Sequence, residues 1–264
     1  MLGGGAAAIS EILDVETDLQ FYNDITKFQF HTHTVYSGQE IKNSEEARIG
    51  INSLDVYSLP CKSFILIEGT VNCTKPGKDP ADTPVAAGYK LSSNVIGNLF
   101  DEIRYELAGQ QISKSRLIGL TSTIKAILVK NTLDKNTYHL AGFDRAGYEL
   151  TDNTFTFCVP LKLILPFFED FQRIILNLKQ ELVLLRSPTD LNCVESQSGT
   201  NVSVKITKLQ WRMPYITLED HVRLKFLRLL DADTPLKLGF RHWEICELPN
   251  LQNSLNHSWA VHTT

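Results

Sequence analysis

From residue 27 onward, apolar and polar positions mostly alternate with a period of two. Phe28-Gln29-Phe30-His31 and Arg48-Ile49-Gly50-Ile51 follow the pattern of a strand with one face in water. Residues 62–72 (KSFILIEGTVN) are rich in β-branched residues and apolar on both faces, as in a central sandwich strand. Residues 103–107 alternate, and Ala108-Gly109-Gln110-Gln111 turns the chain toward Ile112. Residues 153–165 predict one or two strands, and Pro166 opens a short turn. Residues 174–186 (IILNLKQELVLLR) suit a helix by composition. They equally suit a strand with Leu178, Gln180, Leu182 and Leu184 on one side.

Further along, Val202, Val204 and Ile206 alternate on even numbers, and Leu209, Trp211 and Met213 on odd ones. That change of phase calls for a bulge or for a strand covered on both faces. Helical signals are few. Residues 94–100 suggest one turn and residues 121–130 a short helix. Thr217 with Asp220 forms a capping-box pattern ahead of Val222, Phe226 and Leu230. Residues 241–248 and 258–262 are expected as closing strands. Many short strands, long loops (75–84, 131–136) and few helices predict an all-β sandwich.

Composition narrows the function classes. The chain has 264 residues, and a formal charge of -4 argues against a surface given over to nucleic acid. The acidic residues Glu11, Asp14, Glu16, Asp18 and Asp24 stand in the first 26 positions without a Lys or Arg, so the rest is close to neutral. This stretch is expected to be an acidic arm, part of an N-terminal segment over 1–39. Apolar runs of about five residues are far short of the ~20 needed to cross a bilayer, and no signal peptide is evident. Five cysteines without a CxxC pair predict reduced thiols.

The motifs that would carry chemistry are incomplete. Gly3-Gly4-Gly5-Ala6-Ala7-Ala8 matches a dinucleotide fingerprint in letters, but no strand precedes it. Gly77-Lys78 lacks the upstream glycine of a phosphate loop. His31-Thr32-His33 supplies two imidazoles where catalytic zinc needs three ligands. The pair also fails the cupin pattern, with Ile25 where a glycine is required. Asp231-Ala232-Asp233 reads as an acidic turn. Glu102 and Glu106 are the carboxylate pair for acid–base work, weighed against an ordinary sandwich surface. Arg104, Lys114, Arg116, Lys125 and Lys130 read as a solvated face rather than a nucleic-acid track. Trp211, Trp243 and Trp259 are the candidates for a sugar platform, weighed against core packing. No catalytic residue, metal ligand or cofactor is expected.

Four segments in order resemble double-jelly-roll-like capsid proteins: residues 47–69, 98–120, 159–190 and 240–261. The family's G-Q-x-I-(D/S)-(K/R) turn is matched by Gly109-Gln110-Gln111-Ile112-Ser113-Lys114. Its I-P-L-x-(F/W) strand is matched by Val159-Pro160-Leu161-Lys162-Leu163. The resemblance extends to capsid-like reading frames of arthropod genomes. More distantly it reaches the major capsid proteins of large eukaryotic DNA viruses and Polinton-type elements. It implies a jelly-roll β-sandwich with one full roll over 40–190 and the start of a second, incomplete, over 191–264; the polar composition of residues 187–200 separately makes them the expected boundary. The implied function is a non-enzymatic capsid subunit of a virus or virus-derived genomic element. Such a subunit would form homotrimers and a higher lattice, with an internal membrane or minor capsid proteins as further partners and no specific nucleic acid. Its place would be the virion, and the host cytoplasm or nucleus during assembly. The competing expectation is a carbohydrate-binding jelly-roll module.

Overall fold

The computed structural model describes residues 24–36, 40–52, 56–74, 89–128, 135–150, 152–176, 178–195, 201–232, 237–248, 253, 256–259 and 261. The acidic stretch before residue 24, the loop at 75–84, residues 131–134 and Asp233 lie outside them.

Eight long strands set the architecture. They are β1 (Ile25–Thr34), β2 (Glu46–Ile51), β4 (Phe64–Thr74), β6 (Phe100–Leu107), β7 (Gln110–Arg116), β8 (Thr154–Pro160), β10 (Gln180–Arg186) and β12 (Asn201–Leu218). Four two-residue strands lie between them: β3 (Tyr57–Ser58), β5 (Lys90–Leu91), β9 (Ile175–Leu176) and β11 (Val194–Glu195). One sheet runs β8-β4-β12-β3-β9 with β1 also on β12; the other runs β2-β10-β6-β7. Among the long strands the pairing is nested. First pairs with last (β1 with β12), second with seventh (β2 with β10), third with sixth (β4 with β8), and fourth with fifth (β6 with β7). A long ribbon folded at its middle and rolled onto itself gives this order, which is the jelly roll. The fold of the ribbon is the β6–β7 turn, where Ala108 (φ 51°) and Gly109 (φ 80°) both take the left-handed conformation of a two-residue hairpin.

Alternation puts one side of the long strands other than β1 into a shared core, whereas β1 is exposed on both sides, with Ile25, Phe28 and Phe30 in solvent. Ile65, Ile67 and Val71 of β4 and Trp211 and Met213 of β12 face Ile103 and Tyr105 of β6 and Leu182 and Leu184 of β10. Tyr105 meets Trp211 edge-on at 6.2 Å between ring centroids, joining the two sheets. Its hydroxyl donates to Gln180 Oε1 at 2.9 Å, and Gln180 Nε2 donates to Ser58 Oγ at 2.7 Å, so the buried polar atoms are satisfied in series. The phase change in β12 is a bulge: the register with β4 shifts between Ile206 and Lys208. Residues 174–186 form β9 and β10, so the strand alternative holds there.

Among the described residues the helices are α1 (Val95–Leu99), α2 (Ile118–Leu128), α3 (Lys135–Leu140), α4 (Pro166–Asp170) and α5 (Asp220–Asp231). Asn94 caps α1, accepting from Gly97 N at 3.2 Å, and its Nδ2 donates to Ser122 Oγ of α2 at 2.7 Å. Phe167 and Phe168 of α4 are buried against Tyr105.

Several expectations change. The chain divides into two compact units, residues 29–215 with 236–264 and residues 1–28 with 216–235. The residues expected to open a second roll supply the last strand of this one, because β12 pairs with β4 from Asn201 to Arg212. The first strand, β1, falls within the segment expected as an arm. Within the polar stretch expected as a boundary, 187–200, Ser187 and Asp190 are buried. Thr217 does not cap α5: it lies in β12, and the carbonyl of Glu219 accepts the first helical bonds from Val222 and Arg223. Residues 241–248, expected as a closing strand, have no regular pairing, and neither do the described residues of 258–262.

Candidate assembly surface

The outward face of the β2-β10-β6-β7 sheet is a lattice of paired charges. Arg104 reaches Glu46 at 2.6 Å and Glu102 at 3.3 Å. Lys114 and Arg116 reach Glu102 at 3.0 and 3.1 Å, and Arg48 holds Glu46 at 2.6 Å. Val183, in register with both Arg48 and Arg104 on this face, is only 1% exposed. Burial pushes the Glu102 carboxyl up, but hydrogen bonds from Lys114 and Arg116 outweigh that and hold it below the usual carboxylate range. Glu102 is thus an ionised hub rather than an acid–base partner of Glu106, which lies 3.9 Å from Arg48. Arg104, Lys114 and Arg116 of the basic cluster are thus paired with carboxylates on this face, and Lys125 pairs with Glu169 on α2; Lys130 lies outside the described residues.

A different surface lies on α2. Ile118 and Ser122 are buried, whereas Leu120, Ile124, Ile127 and Leu128 are exposed, Leu128 by 79%. The exposed four stand at i, i+4, i+7 and i+8, one continuous apolar stripe. Such a stripe leaves contiguous apolar surface of one helix in solvent.

Beside the stripe runs a cleft of about 460 Å³, lined by Thr121, Ile124, Lys125, Leu128, Trp243 and Ile245 among others. Lys125 is fixed in its wall. It pairs with Glu169, donates to Lys162 O at 3.3 Å, and sits 4.5 Å over the Trp243 ring. Arg241 anchors the far wall by gripping Asp170 through Nε at 2.8 Å, Nη2 at 2.6 Å and its backbone N–H at 2.9 Å. These bonds hold the Asp170 carboxyl down to about 2. The sequence reading placed a helix here without marking its outward stripe, and it missed the Arg241–Asp170 clamp altogether.

The remaining candidates are dispersed. His31 stacks on Tyr215 at 4.4 Å and His33 Nε2 lies 3.0 Å from the Tyr215 hydroxyl, so the two imidazoles share one phenol. Among the described residues, no third His, Cys, Asp or Glu joins them as a ligand. Of the three tryptophans, Trp211 is wholly buried, Trp243 is half-buried under Lys125, and Trp259 is exposed. They form no common platform. Burial pushes the Cys193 thiol up to about 12 and raises Cys61 and Cys158 as well, which makes them poor nucleophiles.

Comparisons with known proteins agree with the roll. The family described as double jelly roll-like domain matches residues 89–264. No curated protein sequence matches. Among solved structures, PBCV-1 VP54, fitted into a reconstruction of the virophage Sputnik, aligns with a TM-score of 0.52 at 15% identity, over 79% of this chain and 47% of that one. The Faustovirus major capsid protein aligns with a TM-score of 0.50 at 8% identity, over 86% and 60%. A chain of the Sputnik virophage aligns with a TM-score of 0.52 at 10% identity, over 79% and 51%. At such identities the likeness is one of fold. The chain spans about half the length of the first of these solved proteins.

Proposed function

The chain belongs to the double jelly roll-like domain family, and from that premise we propose that it is a capsid-building subunit that works by self-association and not by catalysis. The observation that carries this reading is the α2 stripe, an apolar surface presented by a rigid roll whose charged sheet face is already neutralised within itself. A shell subunit needs both properties: faces that stay apart in solution and a restricted apolar patch that meets a copy. The solved proteins of similar fold are capsid proteins, which supports the same reading. On it, the working location is the virion, the expected closed assembly is a homotrimer, and no cofactor takes part. In a subunit of two rolls, the second would follow β12.

The test is the mass of the purified chain by light scattering after size-exclusion chromatography, across a concentration series. Concentration-dependent trimers are expected. A clean monomer at high micromolar concentration overturns the reading.

A further inference from the structure

We infer that the outward face of α5 is the docking site of the acidic, apolar-rich segment that precedes Asp24 in the same chain. This inference does not rest on the capsid reading. Val222 and Phe226 are half-buried, while Arg223, Leu224, Lys225, Leu227 and Arg228 are exposed. Leu224 and Leu227, three residues apart, lie one above the other with the cations around them. The ion pairs of α5 among the described residues are both made by His221, to Asp24 at 3.4 Å and to Glu219 at 3.9 Å. Three cations and two leucines thus form a face suited to a ligand that is both acidic and apolar.

Residues 9–18 are that kind of ligand. They alternate Ile9, Ile12, Leu13 and Val15 with Glu11, Asp14, Glu16 and Asp18, and contain no Lys or Arg. The segment is also tethered at the right place. Glu219 N–H donates to Asp24 O at 3.1 Å, and Thr26 Oγ1 donates to Thr217 O at 3.0 Å, so the chain is fixed at the first turn of α5. A helix of this length, 12 residues, extends for about 18 Å. Some six extended residues span that distance at about 3.3 Å each. The tether keeps the segment at millimolar effective concentration, which favours the same chain over any partner free in solution.

The experiment uses the full chain at a dilution where it is monomeric. A carbodiimide, which joins a lysine amine to a carboxylate, is added and the linked peptides are read by mass spectrometry. The expected product links Lys225 to a carboxylate among Glu11, Asp14, Glu16 and Asp18 within one molecule. It disappears in Arg223→Glu/Arg228→Glu, a variant that retains Lys225 and whose fold is checked by circular dichroism. It also fades in about 1 M salt, where the screening length falls to about 3 Å. Mixing isotopically heavy and light chains reports the origin of each link. Mixed-isotope links overturn the same-chain assignment in favour of a second copy, and links indifferent to the charge reversal overturn the docking face itself. Flotation with phosphatidylserine vesicles supplies the last arm. Binding that is equal with and without residues 1–23 means the face is open to a lipid surface, and that also overturns the proposal.

Discussion

The Arg186 guanidinium and the Asp190 carboxylate meet at 2.9 Å with both side chains out of solvent, 1% and 6% exposed. The pair is a knot between distant parts of the chain. Arg186 also donates to Ile41 O at 2.9 Å and to Val204 O at 2.5 Å, and Asp190 Oδ2 accepts from Val204 N at 2.9 Å. It fastens the end of β10 to the start of β12.

Removing one partner strands a charge in the core. Asp190→Ala is expected to lower the unfolding free energy by about 3–5 kcal/mol, and Arg186→Met/Asp190→Leu by less, because the double change leaves no unpaired buried charge, only the backbone groups of Ile41 and Val204 without their partners. Urea denaturation measures both. A double variant as unstable as the single one contradicts this account.

The Tyr105–Gln180–Ser58 series makes a second stability prediction. Tyr105→Phe leaves Gln180 Oε1 without its donor and is expected to cost about 1–3 kcal/mol. Trp211→Ala removes the ring that Tyr105 meets from the opposite sheet, with an expected cost of about 3–5 kcal/mol. Thermal and chemical unfolding should rank the two in that order.

Assembly should respond to α2 with little change in stability. Ile124→Glu/Ile127→Glu places charges on the exposed stripe, where stability moves by no more than about 0.5 kcal/mol. Self-association, followed by sedimentation, is expected to fall away while the melting curve stays put. Undiminished association would move the interface elsewhere.

His33 predicts a pH dependence of the β1 seam. Burial and the neighbouring His31 lower its pKa from 6.5, so the folded chain favours the neutral ring. The unfolded state therefore takes up the proton first. The full stability is present above 6.5 and declines as the pH falls from 6.5 toward the lowered folded value. Amide protection in β1, corrected for the intrinsic pH dependence of exchange, should be lower at about pH 5 than at about pH 7, and His33→Gln should flatten that difference.

Asp170 behaves with the opposite chemistry. Its carboxyl is depressed to about 2 by Arg241, so the clamp contributes fully above 3.8 and is lost as the pH falls toward 2. Asp170→Asn should expose the Arg241 amide to exchange at neutral pH. Continued protection of that amide would show that the 241–245 segment is held by Trp243 instead.

Much of the roll was legible in the letters, for identifiable reasons. The bulge beside Ile206 was visible because a single extra residue flips the side-chain phase of everything after it. Residues 180–186 were legible only as far as a choice, since Leu and Val in unbroken series satisfy helix and strand alike. Asp190 misled because a buried carboxylate and one in a solvated loop are the same residue type. Burial is a property of the partners, Ile41 and Val204, that lie far away in sequence. Residues 241–248 show the converse: Trp243 and Ile245 alternate as in a strand, but they serve a cleft beside α2. The stripe on α2 was hidden because a helix's inward and outward leucines look the same until the neighbours are known.

The nesting of the strand pairs carries a consequence for the order of events in folding. The β6–β7 hairpin closes over two residues, whereas the bond from Thr26 to Thr217 joins residues 191 apart. Closing the outer pair first would be slow, because the entropy of a long loop is spent before any contact rewards it. Each inner pair, once made, shortens the effective loop for the next. The roll is therefore expected to zip from its middle outward, with β1 and β12 arriving last. A chain emerging from the ribosome would wait, with β4 lacking its central neighbour, until residue 218 has cleared the exit. In that interval the unfinished sheet is most open to a wrong partner.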